Sequence, residues 1–377
     1  MAQFPKPKLS PVLITGGNGF IAYHIIAKIL ALEPNCSIHS IDINIDRNRH
    51  PNPNVQYHQA DVSSPTDVAR VMEIAQPVTI FHTASPDISG AAPESDYRRV
   101  IIDGINILLN AAIKSESVHA LINTSTSGVI NDNETDLIDA KEDMPILHAP
   151  QQKRIYCIAK AESEEAIQAA KRTGGTDDRG ILTCSIRTCL AFGERDIGAL
   201  GKMISVAQKG KSRFQIGNGR NPYDFVYVGN LADSHILVAH ALLDAWGKPA
   251  PTDTSDCIDG GSINITNDDP WFFWDFQRGV AAQTGNPVRP EEIVVIPTWV
   301  GLVIGFVSEW IVWLISGGTR APNMTRAGIR YSTLIRTHDI SKAKRVLGYR
   351  PKVSMQDGLE RSVRWFMENP DGVGVAE

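Results

Sequence analysis

Thr15-Gly16-Gly17-Asn18-Gly19-Phe20-Ile21-Ala22 stands between an apolar strand, Pro11 to Ile14, and a helix that opens at Phe20. Ile21, Ile25, Ile26, Ile29 and Leu30 recur at helical spacing and give that helix one apolar stripe. A glycine-rich turn between strand and helix lets the backbone approach a pyrophosphate. Gly16 makes the tight turn, Gly19 removes a Cβ where phosphate comes closest, and Ala22 is small enough for close packing of helix on sheet. The free N–H groups and positive dipole end of the helix add to the attraction. Gly17, Asn18, Phe20 and Ile21 complete the candidate dinucleotide-binding segment.

The next apolar run, Ser37 to Ile41, ends in Asp42, 26 positions after Gly16. A carboxylate there accepts hydrogen bonds from the ribose 2′- and 3′-hydroxyls and repels a 2′-phosphate, which favours NAD over NADP. Arg47 and Arg49 follow among Asn, Asp and Pro and read as a solvated loop. A third strand, Val55 to Gln59, leads into Asp61-Val62. Asp61 is either a partner for the adenine amino group or a cap ahead of Ser63-Ser64-Pro65.

The 377 residues allow one large α/β domain with a smaller appendage. A net charge of −5 without a Lys/Arg cluster excludes nucleic acid as the main partner. Five cysteines, odd in number and without metal or redox spacing, fit a reduced compartment and no metal site. Met1 to Ser10 is too polar and Pro-broken for a secretory signal, so Asn133-Glu134-Thr135 reads as a chance glycosylation triplet. Strands at 78–81, 120–123 and 181–187 alternate with long helices at 97–115 and 155–172. This predicts an α/β fold, a Rossmann-type doubly wound parallel sheet over residues 1–190. Residues 191–377 are expected to form mainly a smaller substrate-binding lobe with interwoven returns to the Rossmann core.

Tyr156 and Lys160 lie one helical turn apart in Tyr156-Cys157-Ile158-Ala159-Lys160, so both project from one face. Hydride can leave an alcohol carbon only if a base takes the hydroxyl proton. A tyrosine with pKa near 10 is a poor base at neutral pH, and lowering it by about three units corresponds to about 4 kcal/mol of differential interaction. Lys160 and a positive nicotinamide ring supply charge of the required sign. Thr124-Ser125-Thr126-Ser127 places hydroxyls at a strand end, where ligands bind in open α/β sheets. Thr126 is the first candidate to orient the substrate oxygen and Ser125 the second.

With these residues in place the chain resembles the extended short-chain dehydrogenases, and among them the 3β-hydroxysteroid dehydrogenase and sterol-4α-carboxylate 3-dehydrogenase group. The resemblance rests on Thr15 to Ile21, Phe81-His82-Thr83-Ala84-Ser85-Pro86, Thr124 to Thr126, Tyr156 with Lys160, Gly217-Asn218-Gly219 leading to Asp224 to Asn230, and Lys342-Ala343 with Leu347 to Pro351. It implies NAD as cofactor, held by Gly16 to Ile21, Asp42, Asp61, Val62, Thr83, Ala84, Ser85, Tyr156 and Lys160. It also implies oxidation of a sterol or triterpenoid 3β-hydroxyl to the 3-ketone, with loss of a C4 carboxylate as a further step where one is present. Pro86, Phe192 and Tyr223 are the candidate substrate contacts. A homodimer, and residence on the cytoplasmic face of the endoplasmic reticulum or in the cytoplasm, follow from the same resemblance. Departures are Ile101-Ile102-Asp103-Gly104, which lacks an expected asparagine, Asn123 in place of an aromatic, Ala22 in place of Gly, and no Pro after Arg187.

The segment 293–316 carries Glu309 as its one charge, with Trp299, Trp310 and Trp313. Pro297, the glycines and Glu309 argue against a spanning helix. Insertion into a membrane surface and a buried helix pair capping the substrate pocket both fit the segment, and both imply an apolar substrate. Two rival functions share parts of the pattern. A nucleotide-sugar epimerase uses the same turn, Tyr and Lys but has little use for the segment 293–316, and a non-catalytic NAD-binding regulator needs no Tyr/Lys pair.

Overall fold

The computed structural model describes residues 6–86, 92–174, 179–250, 256–317, 322 and 324–370. The glycine turn joins β1 (Val12–Thr15) to α1 (Phe20–Leu32), and β2 (Ile38–Asp42) and β3 (Val55–Gln59) follow. α2 (Pro65–Ala75) begins as its sequence dictates: Pro65 occupies the first turn and the Ser64 hydroxyl accepts from the Asp67 N–H at 3.3 Å. β4 (Thr79–His82) precedes a helical stretch made of α3 (Glu94–Tyr97), a π-helical turn (Arg98–Asp103) and α4 (Gly104–Lys114). The periodicity had suggested one uninterrupted helix from 97 to 115. The π turn carries the Ile101-Ile102-Asp103 departure and packs Tyr97 and Ile101 against Ala159 and Tyr156.

β5 (Ala120–Thr126) runs three residues beyond its apolar stretch, because the backbone of Thr124 to Thr126 stays paired with β7. β6 (Leu137–Ala140), α5 (Ile155–Ala169) and β7 (Leu182–Thr188) complete the first half. The second half begins with β8 (Leu190–Phe192), α6 (Ala199–Gln208), β9 (Phe214–Ile216), β10 (Pro222–Tyr223), β11 (Phe225–Tyr227), α7 (Val228–Ala245) and β12 (Gly261–Ile265). It closes with β13 (Trp271–Phe272), α8 (Phe273–Gln283), β14 (Val294–Ile296), α9 (Thr298–Ser316), α10 (Arg326–Thr333), β15 (Arg336–His338), α11 (Ser341–Leu347) and α12 (Met355–Glu368).

The main sheet has seven parallel strands in the order β12-β7-β5-β4-β1-β2-β3. Chain order reverses beside β1 and β4, so a crevice opens there at the C-terminal strand ends. Side chains alternate between two cores. Val12, Ile14, Phe81 and Ile122 face α1 and α7, while Leu13, Ile80 and Leu121 face α2, α4 and α5. The outermost strand, β12, comes from the C-terminal half. A separate core of Leu200, Phe225, Phe273, Phe276, Met355 and Leu359 supports the lobe, and Phe192 lies inside it.

α9 is a continuous helix whose Gly301 and Gly305 are its only buried residues. Those two positions allow close approach to α10: a Cβ on Gly305 would lie 2.9 Å from both the Arg326 nitrogen and Ile329 Cδ1. Glu309 accepts from the Arg326 backbone N–H at 2.8 Å and pairs with its guanidinium at 2.8 Å. One stripe of α9 is therefore occupied by protein, and among the described residues much of its remaining surface, including Trp299, Val303, Phe306, Trp310, Trp313 and Leu314, is exposed.

Candidate active site

The crevice encloses about 270 Å3 and is lined by Gly16, Gly19, Asp42, Arg47, Asp61, Val62, Thr83, Ala84, Ser85 and Pro86 among others. Gly16 has φ +65°, and a Cβ there would stand 2.7 Å from the Ala84 Cα, so both conformation and space require glycine. The Thr83 hydroxyl donates to the Thr15 carbonyl at 2.8 Å and locks the end of β4 against the turn. Gly17 serves a different purpose: a Cβ would lie 2.1 Å from Ser40 Oγ, so it permits packing on β2 and does not line the crevice.

Asn18 also acts locally. Its amide donates to the Arg47 carbonyl at 2.7 Å and accepts from the Ser40 hydroxyl at 3.2 Å, which pins the loop after β2. Phe20 and Ile21 turn their side chains into the cores, leaving only their helix-start N–H groups for a phosphate. Asp42 stands at the rim. Its Oδ2 accepts from the Asn18 N–H at 3.1 Å and its Oδ1 from the Asn44 N–H at 3.0 Å.

Asp61 lines the crevice and also makes the turn that its sequence allowed, since Oδ1 accepts from the Ser63 N–H at 2.8 Å and Oγ at 2.6 Å. Arg99 bonds its other oxygen at 2.6 Å, and these bonds together hold the carboxyl below the usual carboxylate range against the effect of burial. Arg47 is exposed, as a solvated loop requires, and lines the crevice rim along with Asp42. The glycine turn, the helix-start N–H groups and the rim carboxylate fit the phosphates and ribose of a dinucleotide.

β4 and β5 are neighbours with His82 opposite Asn123, so the wall from Thr83 to Pro86 abuts the strand end from Thr124 to Thr126. Here the Thr126 hydroxyl is close enough to the Tyr156 phenol to favour its ionised form. The same Thr126 oxygen accepts from the Gly128 N–H at 3.1 Å, so its own proton is available to donate. Tyr97 meets Tyr156 edge to face at 6.3 Å. Burial pushes the phenol above the ordinary tyrosine value, while the Arg154 guanidinium and Thr126 pull it back. Lys160, 2% exposed, donates from Nζ to the Thr124 carbonyl at 2.8 Å. Burial lowers its pKa to about 8 against the opposing charge of Glu164.

Two expected contacts are corrected by the geometry. Ser125, on the opposite side of β5 from Thr124, donates to Glu164 Oε2 at 2.7 Å and is 1% exposed, so its hydroxyl is not available to a substrate. Phe192 is likewise 1% exposed and packs edge to face with Phe276 at 5.0 Å inside the lobe core. Tyr223, a third expected contact, is 3% exposed and buried against Phe273 and Tyr331, so it too offers no surface to a substrate. Pro86 does line the crevice.

Arg154 and Arg336 were not expected from the sequence. Their guanidinium carbons lie 5.9 and 4.7 Å from the centre of the Tyr331 ring, and Arg336, 6% exposed, has no hydrogen-bond partner at Nε among the described residues. Its Nη2 donates to Asn133, whose side-chain nitrogen in turn donates to the Ala327 carbonyl at 3.2 Å. Asn133 is thus an internal bracket. Arg154 stood in view two residues before Tyr156, whereas nothing in the pattern around 336 separates that arginine from a surface residue. Among the described residues no group of His, Cys, Asp and Glu is arranged to hold a metal ion.

Residues 13–295 match the profile of the 3-beta hydroxysteroid dehydrogenase/isomerase family. The chain belongs to this family. Its similar proteins include the decarboxylating sterol-4-alpha-carboxylate 3-dehydrogenase of Candida albicans, 32% identical over 96% of this chain and 99% of that protein. The Bos taurus enzyme of the same description is 31% identical over 96% of this chain and 93% of its own. Solved structures with the same fold include an epimerase from Methanothermobacter thermautotrophicus, with TM-score 0.71 and 19% identity over 98% of this chain and 96% of that one. Another is UDP-glucose 4-epimerase of Thermus thermophilus in complex with NAD, with TM-score 0.65 and 20% identity over 95% of this chain and 99% of that one.

Proposed function

We propose that this 3-beta hydroxysteroid dehydrogenase/isomerase family member oxidises the 3β-hydroxyl of a sterol or sterol-like substrate that bears a neighbouring carboxylate. The observation that carries the reading is the placement of Tyr156 and Lys160 one turn apart on α5, with Lys160 bonded to the Thr124 carbonyl where β5 ends, beside a crevice lined by the glycine turn and Asp42. NAD, when bound, supplies the hydride acceptor. Gly16, Gly19 and the first N–H groups of α1 hold its phosphates, and Asp42 its ribose. Thr126 orients the substrate oxygen, Tyr156 as phenolate takes its proton, and Lys160 holds the local charge that favours the phenolate. In the product, a ketone stands next to the carbon that carries the carboxylate. The electron pair released with carbon dioxide passes into that ketone.

Arg336 supports the carboxylate in particular. Its guanidinium is buried and unmatched at Nε, and it shares the Tyr331 ring with Arg154, whose charge reaches Tyr156. An anion near the reacting hydroxyl satisfies such a group. The apolar circumference of α9 supports a substrate delivered from a membrane surface, as it does the proposed residence on the endoplasmic reticulum. The test is NADH formation by purified protein with NAD and either a 3β-hydroxy-4-carboxysterol, the same sterol without its carboxylate, or a UDP-sugar, with products followed by mass. NADH together with carbon dioxide from the first substrate is expected. Sugar epimerisation without net NADH would transfer the chain to the epimerase reading.

A further inference from the structure

Tyr156, Lys160 and Glu164 follow one another at intervals of four residues along α5 and so share one helix face. Glu164 is 0% exposed, and both of its oxygens are engaged: Oε1 receives Arg187 Nε at 2.9 Å and Nη2 at 2.7 Å, while Oε2 receives the Ser125 hydroxyl at 2.7 Å. Arg187, 2% exposed, spends Nη1 on the Glu142 carbonyl at 3.0 Å. Glu164 therefore pairs with buried Arg187 on β7 and stands one helical turn after buried Lys160 on α5.

An ammonium group withdrawn from water needs compensation. The hydrogen bond that Lys160 makes goes to a neutral carbonyl, that of Thr124. From β4 it faces His82, which burial keeps neutral near neutral pH, and from α7 His235 reaches the same Thr124 through its hydroxyl at 2.9 Å and is also neutral there. Tyr156 on its own helix is uncharged until it acts. Glu164 is thus the carboxylate whose charge is felt at Lys160, while Arg187 and Ser125 fix that carboxylate in place.

Resting on the dehydrogenase reading above, we propose that Glu164 is a positioning residue of the reaction: it keeps Lys160 charged, and its bond to Ser125 sets the strand end that presents Thr126. A purely structural ion pair would affect stability without changing the pH dependence of turnover. A charge that acts through Lys160 determines where activity falls off on the alkaline side, because neutral Lys160 no longer favours the Tyr156 phenolate.

Glu164→Gln keeps the size and a hydrogen-bonding oxygen and removes the charge. The alkaline limb of kcat/KM is expected to move down by at least one pH unit, with at least a tenfold loss at pH 8 and a smaller loss at pH 6.5. The Lys160 titration midpoint, followed by NMR of 13C-labelled lysine and assigned with Lys160→Met, is expected to fall by a similar amount. If Arg187 left unmatched prevents folding, the pair Glu164→Gln with Arg187→Met removes both buried charges, and the same direction is expected. An unmoved midpoint overturns the proposal, and so does a moved midpoint with an unmoved alkaline limb. If the wild-type protein oxidises no 3β-hydroxysterol, the dehydrogenase reading falls on its own, and the NMR midpoint still decides whether Glu164 governs Lys160.

Discussion

The backbone N–H of Asn18 donates to Asp42 Oδ2 at 3.1 Å, so the glycine-rich turn and the carboxylate proposed to hold the ribose are fixed by the same bond. Asp42→Ala removes both the repulsion of a 2′-phosphate and that anchor. Arg47, already at the crevice rim, then faces the phosphate without a competing carboxylate. The expected result is a KM for NAD raised about 10- to 100-fold, in line with the loss of a charge-assisted bond of about 1.5–3 kcal/mol, together with measurable use of NADP. Steady-state kinetics with both cofactors decides it, and an unchanged preference would remove Asp42 from the ribose site.

Gly16→Ala tests the turn itself. The added methyl meets the Ala84 backbone at 2.7 Å, in a conformation with φ +65° that L side chains rarely adopt. Backbone strain of about 1–3 kcal/mol is expected, with the end of β4 displaced and NAD binding lost before global stability. Fluorescence titration with NADH alongside thermal melting separates the two effects. Normal cofactor affinity in the variant would show that the turn tolerates a Cβ.

Much of this architecture could be read from the chain because it depends on local rules. The glycine turn, Asp42, the Ser64-Pro65 helix start and the Tyr156/Lys160 pair each act within one turn or one strand–helix unit. The parts that could not be read depend on long-range packing. The sequence ranks Thr126 ahead of Ser125, but that the Ser125 hydroxyl is spent on buried Glu164 depends on how α5 packs against β5. Arg336 reaches the site only because β15 pairs with β10 and β6, 113 and more residues earlier in the chain, and Phe192 is claimed by a core assembled from the C-terminal half.

Arg336→Met tests the anion seat. Methionine fills similar space and removes the buried charge. KM for a 4-carboxysterol should rise about 10- to 100-fold, as expected for the loss of one charge-assisted contact, while the sterol without its carboxylate should be oxidised at least as well as by the wild type. Equal effects on both substrates would mean that Arg336 supports the fold and not the carboxylate.

His235 predicts acid sensitivity close to the active site. Burial holds its pKa down to about 4, with Nε2 bonded to Thr124 at 2.9 Å and Nδ1 to the Leu231 carbonyl at 2.8 Å. In the unfolded chain the imidazole titrates near 6.5, so between these values the unfolded state binds more protons. The contribution is complete above pH 6.5 and is lost as pH falls towards 4, reaching about 2 kcal/mol at pH 5. His82, lowered to about 3, adds to it in the same direction. Thermal melts at pH 7 and pH 5 should show the loss, and His235→Gln should flatten the slope between them.

α9 carries the last test. It is 19 residues long with mean hydropathy 1.8, and among the described residues it is the helix long and apolar enough to cross a membrane. Its Gly301 and Gly305 stripe is committed to α10 and Glu309 to Arg326, so a helix lying on the membrane surface uses the face that remains. Trp299 is 69% exposed, Leu314 68% and Ile315 80%, and Val294 and Val295 on the preceding strand are 45% and 54% exposed. Withdrawing a half-exposed apolar side chain from water contributes about 1 kcal/mol, so exchanging Trp310, Trp313 and Leu314 for Glu should weaken vesicle binding by about 100-fold. Because all three are exposed, at 51%, 55% and 68%, turnover of a detergent-solubilised sterol should persist. Cosedimentation with phosphatidylcholine vesicles reads the first effect and NADH formation the second; vesicle binding equal to that of the wild type would leave α9 as a protein contact.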